Sequence, residues 1–159
     1  MPRILAVDWG ERRVGLAVSD PHGVIATGLS TLEVRGLADA VAQVAAALEE
    51  AGAEAIVVGL PLLLNGERGT AARSAEAFAA ALRARVGVPV DTYDERLTST
   101  ISQRRLRELG VRTGRARGRV DQGAAVALLE SYLLRLRSRS AAGPGAAGPG
   151  AAGSEGSGA

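Results

Sequence analysis

Two rhythms of apolar residues run along this chain. Ile4-Leu5-Ala6-Val7 is a short continuous apolar run, and Val14 to Ser19 is another, so the chain opens as a pair of strands. The turn Asp20-Pro21-His22-Gly23 leads into a third strand within Gly23–Thr31. The period then changes. Leu37, Val41, Val44 and Leu48 recur at helical spacing, predicting a helix over Leu37–Ala51 that stops at Gly52. Ala55 to Gly59 is a continuous apolar run suited to a strand buried on both faces. A loop over Leu60–Gly69 follows, with Pro61 and Asn65-Gly66. Ala75, Phe78, Ala79, Leu82 and Val86 mark a second helix, Val88–Asp94 a fifth strand and Thr98–Leu109 a third helix. Gly110–Arg119 has no apolar period and reads as a loop. Ala125, Leu128, Leu129, Tyr132 and Leu136 then give a last helical stripe. Strands first, then alternating helices and strands, predict an α/β domain with a mixed five-stranded sheet flanked by helices.

Composition sharpens this picture at both ends. From residue 140 the chain consists mainly of Ala, Gly, Pro and Ser, with the unit Ala141-Ala142-Gly143-Pro144-Gly145 repeated from Ala146. Such a segment has no large side chain to bury, so residues 1–139 are expected to form the domain and 140–159 a disordered tail. The chain has no cysteine, which excludes disulfides, thiol catalysis and Cys-ligated zinc. No stretch is apolar for long enough to span a membrane, and four apolar residues before Asp8 are too few for a signal peptide. The expected compartment is the cytoplasm.

The net charge of +2 hides a division. Residues 1–95 carry a net −5, residues 96–139 a net +8, and the tail −1. All 19 basic residues are arginine. Arg104, Arg105, Arg107, Arg112, Arg115, Arg117 and Arg119 fall within sixteen residues, with Glu108 the only acid among them. A basic back half of this kind fits a polyanion, and sparse aromatics argue against recognition by base stacking.

Three acidic positions stand out, two of them at the carboxyl ends of strands, where ligands gather in α/β proteins. Asp8 ends the first strand, where it could be a metal ligand, a phosphate-site residue or a turn-former. Asp94-Glu95 ends the fifth strand; the two point to opposite faces, and periodicity does not choose between them. Asp121 opens the last helix on its apolar stripe, either as a cap or aimed at the sheet. Clustered carboxylates suit hard divalent cations, Mg²⁺ or Mn²⁺. Glu11, Asp20 and Glu67 read as solvated loop charges; the single histidine, His22, lies within a turn and reads as structural, and nothing resembles a Ser-His-Asp set.

These residues resemble the YqgF/RuvX family of pre-16S rRNA nucleases and Holliday junction resolvases. The resemblance rests on four motifs in order: Asp8-x-Gly10-x-x-Arg13-x-Gly15-x-Ala17-x-Ser19-Asp20; Val58-Gly59-Leu60-Pro61 with Asn65-Gly66; Asp94-Glu95-Arg96-Leu97-Thr98-Ser99; and Val120-Asp121 with Ala124-Ala125 and Leu129-Glu130-Ser131-Tyr132. It covers residues 3–137. It implies an RNase H-like fold, metal-dependent phosphodiester cleavage and the triad Asp8, Glu95 and Asp121 as catalytic metal ligands. On that reading Arg13, Arg96, Arg104, Arg105, Arg112, Arg115, Arg117 and Arg119 contact nucleic acid, either pre-rRNA or branched DNA. Gly10, Gly15, Gly59 and Thr98 support the site, Gly10 and Gly59 by allowing close backbone approach. An ATP-dependent kinase-like domain and a catalytically silent binding module are the competing classes; the first needs a second lobe for which the chain is too short. Resolution of a junction needs two active sites in a dimer, whereas rRNA trimming needs one, and no apolar stripe beyond the core helices marks a dimer face, which favours a monomer acting on RNA.

Overall fold

A computed structural model describes residues 2–63, 65–97 and 116–142, with side chains of 123–139 in the last segment. Six strands run β1 Ile4–Asp8, β2 Arg13–Ser19, β3 Ala26–Gly28, β4 Leu32–Glu33, β5 Ala55–Leu60 and β6 Val90–Asp94. Among the described residues three helices accompany them: α1 Leu37–Ala51, α2 Thr70–Arg85 and α3 Ala116–Ala142. The sheet order is β3-β2-β1-β5-β6, with β4 pairing β2 beside this five-strand path. The strands β1, β5 and β6 are parallel, and β2 is antiparallel to β1 and β3.

Alternation along the strands sorts the core onto two faces. Leu5, Val7, Val14, Leu16, Ile56, Val58 and Val90 point to one face and pack with Val41, Val44 and Leu48 of α1 and Phe78 and Leu82 of α2. Ile4, Ala6, Ala17, Val57 and Tyr93 point to the other and pack under Ala125, Leu128, Leu129 and Leu133 of α3. Alanines on the α3 side let that helix lie close to the sheet. Among the described residues the layers are α/β/α, with α3 on one face, and the N-terminal turns of α3 lie beside the carboxyl edge of β1, β5 and β6. The polarity follows from Arg137, whose Nη1 donates to the Gly23 carbonyl (2.9 Å) in the turn after β2, at the opposite edge.

Several expectations change in detail. Of the third strand expected within Gly23–Thr31 only Ala26–Gly28 forms, and the two-residue β4 follows beyond that range. Asp20 gathers the turn before β3: its carboxylate accepts the backbone N–H groups of His22 (3.1 Å), Val24 (2.7 Å) and Ile25 (2.7 Å). Asp20 is therefore a turn organiser rather than a merely solvated charge, and these bonds hold its carboxyl below the usual range. The α2 helix begins at Thr70, one turn before its first apolar marker. The α3 helix begins at Ala116, not after Arg119, so the expected loop loses its last four residues. Alanine and arginine are good helix formers and need no apolar period to continue a helix whose later turns are packed. Asp121 consequently lies inside the helix and is not its N-cap. The expected helix Thr98–Leu109 and residues 143–159 of the expected tail lie outside the described residues, and the helix α3 runs on through residues 140–142, which the sequence pattern places in the tail. Gly52 ends α1 as anticipated, in the left-handed conformation (φ 66°) that favours glycine.

Candidate active site

Asp8 is the last residue of β1 and pairs with Gly15 of β2. It follows Ile4 and Ala6 in the alternation, so its side chain leaves on the α3 face. It is 5 % exposed. Trp9, immediately after it, fixes the strand end from the other layer: its Nε1 donates to Ser74 Oγ (2.8 Å), and its ring stacks on Phe78 at 4.5 Å and 16°. The lone tryptophan beside Asp8 was the available sequence signal for this anchor.

Glu95 follows β6 in a single 3-10 turn, Glu95–Leu97, and is 1 % exposed. Register explains how its carboxylate reaches the site. Gly59 of β5 pairs with Tyr93 of β6, and one step beyond the Val7–Val58 pair sets Asp8 alongside Gly59. Gly59 has the parity of Val57 and so faces α3. A Cβ there would stand 2.6 Å from Glu95 Oε1 and 3.2 Å from both Cγ and Cδ. The Glu95 carboxyl thus occupies the space that any other residue at 59 would fill. Neighbouring strands lie about 4.8 Å apart, so this carboxyl sits one strand from Asp8. Glycine at 59 leaves the space that the Glu95 carboxyl occupies, on the face of the sheet that Asp8 shares.

Asp94, the competing acid, is engaged elsewhere. Its Oδ2 accepts from Arg96 Nη2 (2.8 Å), and its Oδ1 from the Arg96 backbone N–H (2.9 Å) and Nε (3.1 Å). The Arg96 side-chain hydrogen bonds hold the Asp94 carboxyl below the usual carboxylate range. The Arg96 guanidinium lies under Gly66 of the β5–α2 loop, where φ is +90° and a Cβ would come within 3.3 Å of Nη1. Asp94, Arg96 and Gly66 therefore brace the turn that carries Glu95. This brace was not visible in the sequence pattern, although Asn65-Gly66 marked the turn.

Asp121 lies on α3 four residues before the buried Ala125, in the N-terminal part of the helix. Arg13 lies on the α3 face of β2, two residues from Gly15. Gly10 allows a close approach within the chain itself: a Cβ there would meet the Arg13 carbonyl at 2.5 Å, so glycine permits the tight β1–β2 turn. Arg104, Arg105, Arg112, Arg115 and Thr98 lie outside the described residues, as do the side chains of Arg117, Arg119 and Asp121. Among the described residues no group of three or more His, Asp or Glu is arranged around a common metal position, and no helix is long and apolar enough to cross a membrane.

A mixed sheet of this order, crossed on one face by its last helix, belongs to the RNase H-like class. Thermus thermophilus RuvC, solved in complex with a Holliday junction substrate, matches it with a TM-score of 0.54 over 87% of this chain and 98% of that chain. Sequence identity is 18%, so this likeness is one of fold. Residues 2–135 match the model of the RuvX family, described as Holliday junction resolvase, and the chain belongs to that family. A relative from Chloroflexus aurantiacus is 42% identical over 135 residues, covering 85% of this chain and 88% of its own length. One from Moorella thermoacetica is 42% identical over 134 residues, covering 84% and 96%. Both carry the name "Putative pre-16S rRNA nuclease".

Proposed function

We propose that this protein is a divalent-metal-dependent endonuclease that hydrolyses phosphodiester bonds in structured nucleic acid, and that its substrate is the 5′ region of pre-16S rRNA. The observation that carries the reading is the pair of buried carboxylates, Asp8 and Glu95, held one strand apart over Gly59. Two buried carboxylates on one face of a sheet edge form a donor pair that suits a hard cation. The donor set is all oxygen and fits Mg²⁺ or Mn²⁺. Asp8, Glu95 and Asp121 would hold the ion. When bound, such an ion activates water and stabilises the leaving oxygen of a phosphodiester. The chain's own part is positional. Trp9 fixes the end of β1, the Asp94–Arg96 pair fixes the turn of Glu95, and α3 carries Asp121 toward the same sheet edge. Arg13 and the arginines of 104–119 would hold phosphates beside it.

Names of the curated relatives favour RNA, whereas the family description and the RuvC-like fold favour a second reading, resolution of branched DNA. The test is cleavage of end-labelled pre-16S RNA and of a four-way DNA junction, with Mg²⁺, Mn²⁺ or EDTA, by the native chain and by Asp8→Asn. Metal-dependent cutting of RNA at one site, lost in Asp8→Asn with binding retained, is the expected result. Paired symmetric nicks in the junction by a stable dimer would make DNA the substrate. Undiminished cutting by folded Asp8→Asn would remove Asp8 from the mechanism.

A further inference from the structure

A second feature opens at the same sheet edge, on the side of Asp8 away from β5 and β6. A cleft of about 500 Å³ is lined by Arg12, Arg13, Glu33, Val34 and Arg35. Two segments twenty residues apart are tied together to make it. Arg13 pairs with Glu33 and Val14 with Leu32 across β2 and β4, and the Val34 N–H donates to the Arg12 carbonyl (2.9 Å). The Arg35 N–H donates to Asp39 Oδ2 (2.8 Å), which fixes the exit into α1. Val34 is buried, while Arg12 and Arg35 are exposed and take no part in the Arg68–Glu76 or Arg96–Asp94 ion pairs. Three arginines therefore line one concavity together with Glu33. An arginine-rich concavity of this kind suits a polyanion. Position identifies the polyanion. Arg13 lies two residues along β2 from Gly15, the partner of Asp8, which sets its backbone about 8 Å from that of Asp8.

We infer that the Arg12–Arg13–Arg35 cleft is a binding site for the phosphodiester backbone of the substrate, gripping the strand that runs from the cleavage site across β2 and β4. The inference rests on the nuclease reading above and adds Arg12 and Arg35 to the binding surface, on the flank opposite the Glu95 turn. Guanidinium groups suit the task because each can grip a phosphate through two parallel hydrogen bonds. Glu33 opposes binding and limits nonspecific retention.

The test uses the full chain with Arg12→Gln/Arg35→Gln, and separately Glu33→Gln. Binding is measured in an Asp8→Asn background over a range of salt, on a labelled RNA helix with a single-stranded extension and on a four-way DNA junction. If each guanidinium neutralises one phosphate, affinity falls about 60-fold at 0.1 M salt and the log–log salt slope flattens by about 1.8. In the otherwise native chain the single-turnover rate at saturating substrate stays unchanged and only the half-saturating concentration rises. Glu33→Gln shifts affinity in the opposite direction, which loss of folding cannot imitate. A loss on RNA alone, or on the junction alone, assigns the cleft to that substrate. An unchanged slope and affinity in the double variant, with cleavage still dependent on Asp8, would overturn the cleft and leave the nuclease standing. Cleavage that survives Asp8→Asn would overturn the nuclease reading, while the salt slope would still report on the cleft.

Discussion

Replacing Gly59 by alanine tests the geometry of the site with one methyl group. The new Cβ would lie 2.6 Å from Glu95 Oε1, whereas ordinary contacts begin at 3.4 Å, so the carboxyl must retreat by about 0.8 Å. Glu95 is 1 % exposed and has no open solvent into which to swing. Two effects on stability oppose each other. Overpacking costs about 1–3 kcal/mol, and the reduced freedom of the unfolded chain returns about 0.4–1 kcal/mol. The net loss is therefore about 1–2 kcal/mol, and Tm falls by only a few degrees. The effect on catalysis is much larger, because a misplacement of about 1 Å in a reacting constellation can cost about 100-fold. The assay is single-turnover cleavage of end-labelled pre-16S RNA with Mg²⁺ or Mn²⁺, alongside a thermal melt and a binding isotherm. Gly87→Ala is the control, since a Cβ there meets nothing within 4 Å. The expected result is a rate lower by about two orders of magnitude at nearly native affinity for Gly59→Ala, with Gly87→Ala unaffected. A folded Gly59→Ala protein that cleaves at the native rate would refute the claim that Glu95 acts from its seat over Gly59.

Neutralising Arg112, Arg115, Arg117 and Arg119 together should weaken nucleic-acid binding across sequences and flatten the salt slope by up to about one unit per lost phosphate contact; an unchanged slope would remove that segment from the backbone path. Tyr132 should titrate at about 12, because burial and then the nearby Asp91 carboxylate, which accepts its hydroxyl at 3.0 Å, favour the neutral phenol. The raised value means that this contribution to stability is complete below about pH 10 and is lost as pH rises toward 12. Ultraviolet titration of the native chain and of Tyr132→Phe checks it, and ionisation of Tyr132 near pH 10 would contradict it. A chain ending at Ala142 should keep its Tm and its metal-dependent activity, since the Ala-Gly-Pro repeats can bury almost no apolar surface; a large fall in Tm would show that they dock on the domain.

What the sequence disclosed and what it withheld follow from how each interaction is encoded. Periodicity is local, so the strands Ile4–Asp8 and Ala55–Leu60 and the helix Leu37–Ala51 could be read within a residue or two. Where local order comes from one side chain acting over a few residues, as with Asp20 gathering the N–H groups of His22, Val24 and Ile25, the pattern drew the third strand wider than Ala26–Gly28. The start of α3 was misplaced for a related reason: its first turns have no apolar stripe, and their helicity draws on the packing of Ala125 to Leu133 further along. The choice between Asp94 and Glu95 shows the limit most clearly. Alternation places the two on opposite faces and stops there. What separates them is tertiary: Arg96 folds back on Asp94, and Gly59, thirty-six residues upstream, leaves a space for Glu95. A glycine in a central strand is a local cost, since it packs nothing and loses entropy on folding. That cost marks the position as one where something else must fit. Read in that way, the interruption of Val57-Val58 by Gly59 already held the information that a side chain from a neighbouring strand would come to rest there, and only the register of β5 with β6 was needed to say whose.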